Sequence, residues 1–104
     1  MEYISTRNST KIFNFREVFI KGLADDGGLF IPKSPHKVDI NELRGLEYND
    51  LAKKVIYPFI GDFITETDLD KIIDQSYSVF RKKNVIDLIK VGDRSVLELF
   101  HGPP

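Results

Sequence analysis

The patterning of this chain predicts an α+β fold, and three observations carry the prediction. Short β-prone runs stand near both ends, at residues 3–6 and 29–31 and again at 87–91 and 95–100. Apolar stripes of helical period occupy the middle, over residues 51–60 and 69–80. A length of 104 residues supports one hydrophobic core and no more. No repeat, low-complexity tract or linker interrupts the order of strand, helix, strand, helices and hairpin, so residues 1–104 are expected to form one domain with about four helices and a C-terminal β-hairpin.

At residues 3–6 a period of two puts Tyr3 and Ser5 on one face and Ile4 and Thr6 on the other, the pattern of an edge strand. Asn14 followed three residues later by Glu17 spells a capping box. It should start a two-turn helix carrying Phe15, Val18, Phe19 and Leu23, with Gly22 suited to end it. Asp25-Asp26-Gly27-Gly28 is a turn signal, after which Leu29-Phe30-Ile31 reads as a buried strand halted by Pro32. Residues 33–37 are loop, and residues 40–43 make one further helical turn.

Leu51, Ala52, Val55, Ile56, Phe59 and Ile60 line a core-facing helical stripe. Pro58 lies inside that stripe, so a kink or an early end near Ile56 is expected, because proline removes a backbone donor. Thr65-Glu66-Thr67-Asp68 caps a last helix bearing Leu69, Ile72, Ile73, Tyr77 and Phe80, with Arg81-Lys82-Lys83 at its negative end. Residues 87–91 and 95–100 then alternate around Gly92-Asp93-Arg94 as a hairpin.

Composition excludes several functions. Fifteen Lys plus Arg against sixteen Asp plus Glu leave a net charge of -1 without a long basic run, so no nucleic-acid partner is expected. With no cysteine and two histidines, neither disulfides, thiolate catalysis nor a metal site is expected. No run reaches the roughly 18 apolar residues of a membrane span, and residues 1–7 lack the apolar stretch of a secretory signal, so a cytoplasmic chain without membrane contact is expected.

Three motifs could carry chemistry. Ser5-Thr6-Arg7 offers two hydroxyls and a guanidinium able to hold a phosphate, although a strand end with an exposed arginine is the plainer account. The glycine pair of Asp25-Asp26-Gly27-Gly28 has no helix N-terminus behind it and reads as a structural turn rather than a phosphate cradle. His101, beside Gly102 and Pro103, can titrate near neutrality but shows no partner in the sequence, and His36 between Pro35 and Lys37 reads as surface loop.

Residues 3–7, the run from Gly22 to Pro32 and the run from Val96 to Pro103 together resemble the threonine synthase family, with Tyr48-Asn49-Asp50-Leu51-Ala52 and Pro58-Phe59-Ile60 similar to its helical insert. The resemblance implies a pyridoxal-phosphate enzyme of fold type II that converts O-phosphohomoserine and water to threonine and phosphate. It implies that the lysine carrying the cofactor follows Pro104, at which position the family usually has threonine. No catalytic or cofactor-binding residue is therefore expected in these residues, and the segment alone is expected to be inactive. His101 and Gly102 would lie near the active site, and the domain would pack against the remainder of the enzyme chain as one wall of that site. A related phospho-lyase with another substrate, and a non-catalytic interaction module, are the rival readings.

Overall fold

The computed structural model describes residues 1–80, 85–100 and 102. Its elements run β1 (Tyr3–Ser5), α1 (Phe15–Lys21), β2 (Phe30–Pro32), α2 (Ile40–Leu43), α3 (Tyr48–Ile60), a single 3-10 turn (Gly61–Phe63), α4 (Glu66–Ser78), β3 (Asp87–Val91) and β4 (Arg94–Glu98). The strands form two separate antiparallel pairs, β1 with β2 and β3 with β4, so the α+β expectation and its closing hairpin both hold.

Tyr3 and Ser5 face inward from β1, as the period of two requires. Tyr3 exchanges backbone hydrogen bonds of 2.9 Å with Phe13, which gives the short strand a second neighbour. The Tyr3 hydroxyl donates to the Phe59 carbonyl at 2.6 Å and so satisfies a last-turn carbonyl of α3 that has no helical partner. One side chain thereby ties the N-terminal strand to the helical layer.

The capping box of α1 is present in both directions, with Glu17 N–H donating to Asn14 and Asn14 N–H donating to the Glu17 carboxylate, each at 2.9 Å. Gly22 ends the helix at φ 72°. Its apolar positions are less covered than their spacing implied, for none is buried and Phe19, Ile20 and Leu23 are exposed. Phe15, Phe19 and Phe63 instead cluster with ring centroids 5.6–5.8 Å apart.

The expected buried strand at residues 29–31 is corrected in two respects. It spans Phe30–Pro32, with Pro32 opposite Tyr3, and Leu29 and Ile31 are exposed. A two-stranded ribbon offers one face to the core, so Phe30 turns in against Phe13, with centroids 4.9 Å apart, while its neighbours turn out. Proline is tolerated where the strand has an open edge that needs no donor.

The core lies between α3 and α4, where Ala52, Ile60, Leu69 and Ile73 are buried and Phe15, Tyr48, Tyr57, Ile64 and Tyr77 pack around them. Helix α3 does not stop near Ile56 but continues through Pro58 to Ile60. Pro58 falls in the last turn, so it deletes a single ladder bond, and the burial of Ile60 together with the Gly61 cap, whose N–H reaches the Tyr57 carbonyl, holds the end. Across the pair Lys53 meets Asp70 at 2.9 Å, Asn49 donates to Asp74 at 2.8 Å, and the Tyr48 and Tyr77 rings meet edge-on at 4.8 Å. Thr65 caps α4 by accepting from Asp68 N–H at 3.1 Å. The basic run expected at the end of α4, Arg81-Lys82-Lys83, lies outside the described residues.

The terminal hairpin turns on two residues, Gly92 and Asp93, rather than three, because Arg94 already pairs with Val91. Gly92 has φ 67° while no described non-glycine residue has positive φ, the signature of a II′ turn whose twist suits two-residue hairpins. β4 ends at Glu98 instead of Phe100. None of the helices among the described residues is long and apolar enough to cross a membrane.

Candidate functional site

The two short motifs that stood apart in the sequence meet in space. Ser5 ends β1 and is buried, with 3% of its surface exposed. Its hydroxyl donates to Asp26 Oδ1 at 2.8 Å and accepts from the Arg7 backbone N–H at 3.1 Å. The same Asp26 oxygen accepts from Gly28 N–H at 2.9 Å, which closes an Asx turn over Gly27. Thr6 holds the other side, its N–H donating to the Leu29 carbonyl at 2.8 Å while its hydroxyl accepts from Leu29 N–H at 3.0 Å. Arg7 completes the knot by donating from Nη1 to the Asp26 carbonyl at 3.2 Å.

Both glycines have steric reasons to be glycine. Gly27 has φ 76°, and a Cβ there would stand 3.0 Å from the Arg7 guanidinium. At Gly28 an added Cβ would come within 2.2 Å of Ser5 Oγ. The Asp26 carboxyl is held below its ordinary range by the hydrogen bond from Ser5 first, then by the Gly28 N–H, with the Arg7 charge assisting. Asp25 is likewise lowered, by its hydrogen bond and ion pair with Lys21. A small pocket of about 110 Å³ adjoins the knot, lined by Ser5, Asn8, Lys11, Phe13, Ala24 and the two aspartates.

Ser5, Thr6 and Arg7 are thus brought together with the Asp-Asp-Gly-Gly turn, and Asp26 is the residue that sequence reasoning missed. The available signal was a serine in one short β run and an aspartate in the turn that precedes the next, yet 21 residues separate them and no periodicity pairs them. His101 lies outside the described residues and is not placed. Gly102 rests against the ring of Phe80, where an added Cβ would stand 3.1 Å from the ring edge. Phe80 packs on Tyr77 at 4.9 Å, so contact runs from the helical core to the C-terminal segment. Among the described residues no group of His, Asp or Glu could hold a metal ion.

The family profile described as threonine synthase N terminus matches residues 2–77. Threonine synthase from Pseudomonas aeruginosa is 41% identical over 107 residues, covering 99% of this chain and 23% of the relative. The enzyme of that name from Saccharomyces cerevisiae is 42% identical over 112 residues, covering 97% and 22%. Among solved structures, the pyridoxal-phosphate-bound threonine synthase from Brucella melitensis superimposes with a TM-score of 0.90 at 36% identity, covering 99% of this chain and 23% of that one. The chain therefore spans less than a quarter of the length of the proteins it matches. With the fold, the turn signature and the family profile in agreement over most of its length, this chain belongs to the threonine synthase family, whose N-terminal region it matches.

Proposed function

We propose that residues 1–104 are the N-terminal domain of a cytoplasmic threonine synthase that converts O-phospho-L-homoserine and water to L-threonine and phosphate, with no nucleic-acid or membrane partner. The observation that carries the reading is the superposition of nearly the whole chain, 99% of it, on a threonine synthase described as holding pyridoxal phosphate. That cofactor, when bound in the complete enzyme, would supply the electron sink for proton removal at the amine-bearing carbon and at the carbon beside it. None of the described residues is assigned to hold it, and the segment by itself is inactive.

This chain's own contribution is to shape and stiffen one wall of the site. Ser5 commits its single hydroxyl hydrogen to Asp26, so its role is positioning. Thr6 and Arg7 are exposed, and the bond to the Asp26 carbonyl uses one of the five guanidinium N–H donors, so these two residues can meet a substrate phosphate. Gly102 is seated on Phe80, and the family resemblance is what supports placing Gly102 and His101 near the active site of the complete enzyme.

The reading is tested by a chimera in which these 104 residues replace the matching 23% of the P. aeruginosa enzyme. Phosphate and threonine are expected from O-phosphohomoserine with the chimera, and neither from this chain mixed with cofactor and substrate. A folded, cofactor-loaded chimera that releases no phosphate would overturn the reading.

A further inference from the structure

The C-terminal hairpin is built for burial on two sides. Cross-strand pairing puts Leu88 with Leu97, and Ile89 with Val96, directly opposite one another. Because successive residues point to opposite faces, Leu88 and Leu97 share one face while Ile89, Val96 and Val91 share the other. Neither face is covered: Leu88 is 68% exposed and Leu97 50%, against Ile89 at 39%, Val96 at 44% and Val91 at 58%. A hairpin meant for solvent on one side alternates apolar with polar, whereas strands apolar on both faces belong inside layered structures. Two strands alone are marginal in water.

We propose that β3–β4 is an insertion element, both faces of which are covered in the assembled enzyme by the part of the longer chain that lies outside these residues. The proposal rests on the threonine synthase reading and says which surface the rest of the enzyme takes. Three observations favour that occupant. The matched relatives carry more than three-quarters of their length beyond the region this chain covers. Apolar exposure continues along the backbone past β4, with Leu99 at 72% and Phe100 at 74%. The radius of gyration is 16.9 Å, above the roughly 13 Å of a self-sufficient domain of about 100 residues, so this chain is less compact than one that folds around a single closed core. The charged residues of the strands, Asp87, Lys90, Arg94 and Glu98, are two of each sign, so no surface of one charge directs the hairpin to nucleic acid or to an anionic membrane.

The test places one charge on each face of the chimera, as Leu88→Asp and Ile89→Asp, beside the conservative Leu88→Met and Ile89→Val. Thermal midpoint and phosphate release are both read. Each aspartate variant is expected to lower the midpoint by several degrees and phosphate release by about tenfold or more, because a carboxylate would enter an apolar contact without a partner. The conservative variants are expected to stay close to the unsubstituted chimera. In this chain alone all four are expected to melt alike, since both positions are open there.

Sensitivity on one face only would overturn two-sided insertion, and insensitivity on both would leave the hairpin solvated. If this chain alone sediments as a dimer that either aspartate dissociates, the occupant is a second copy and the proposal falls. An unsubstituted chimera that works while both aspartate variants also work sinks the insertion and leaves the functional reading standing. A folded but inactive unsubstituted chimera sinks that reading, while the midpoints still report on insertion.

Discussion

Replacing Gly28 by alanine is expected to break the N-terminal knot and to destabilise the chain by about 3 kcal/mol, the upper range for forcing a methyl group into filled space. The new carbon would stand 2.2 Å from Ser5 Oγ and 3.0 Å from both Asp26 Oδ1 and Thr6 Oγ1. None of these atoms is the free end of a flexible side chain. Ser5 is buried and bonded on two sides, Asp26 Oδ1 accepts two hydrogen bonds, and Thr6 Oγ1 holds Leu29 N–H. Relief in any direction therefore costs a hydrogen bond as well as space. Gly45→Ala is the matched control, because Gly45 has φ 77° with nothing within 4 Å of an added Cβ, so only left-handed strain of about 1–2 kcal/mol is incurred. Urea denaturation of the two variants should rank Gly28→Ala well below Gly45→Ala, and equal midpoints would refute the steric account.

Leu69→Ala should cost about 2–5 kcal/mol, because truncating a buried leucine side chain adds a cavity to the lost transfer energy. Leu69 is 3% exposed and lies in the cluster that joins α3 to α4. A domain of this size sits near the low end of the roughly 5–15 kcal/mol typical of folded proteins, so the variant is expected to be largely unfolded near 37 °C. Ile72 belongs to the same helical stripe but is 49% exposed, and Ile72→Ala should cost about 1 kcal/mol or less. Helical circular dichroism against temperature separates the two. A loss at Ile72 equal to that at Leu69 would mean that the exposed side of α4 is covered by something other than solvent.

That contrast shows how far the sequence could be read. Local signals were legible because their causes are local: the Asn14–Glu17 box, the Thr65 cap, the Gly22 stop and the glycine turn at Gly92 each act within a few residues. Period identified the apolar stripes without saying which members meet a partner, so Leu69 and Ile72, or Phe15 and Phe19, looked equivalent and differ in burial. The buried strand expected at residues 29–31 failed for the same reason, since a short apolar run cannot reveal that its sheet has only two strands. Pro58 was judged by its cost in a regular helix, whereas its place in the last turn and the burial of Ile60 decide the outcome.

The knot was the least legible feature. Ser5-Thr6-Arg7 invited a choice between phosphate contact and an exposed strand end, and Asp25 to Gly28 read as a turn and nothing more. Each motif is the other's explanation: Asp26 needs the Ser5 hydroxyl, the serine needs a glycine at position 28, and the threonine fastens the strand that follows. Such pairing across the sequence is set by tertiary folding, which no window of residues contains.

A double-substitution cycle on Ser5 and Asp26 tests most directly the claim that these segments form one structural unit. Ser5→Ala, Asp26→Ala and the double variant of this chain are melted side by side at neutral pH, where the depressed Asp26 carboxyl is ionised and its hydrogen bonds are intact. If the two motifs share one lock, either single change opens it, and the double variant melts close to the less stable of the two singles. Midpoint shifts that simply add would show that Ser5 and Asp26 stabilise the chain independently, and would contradict the account.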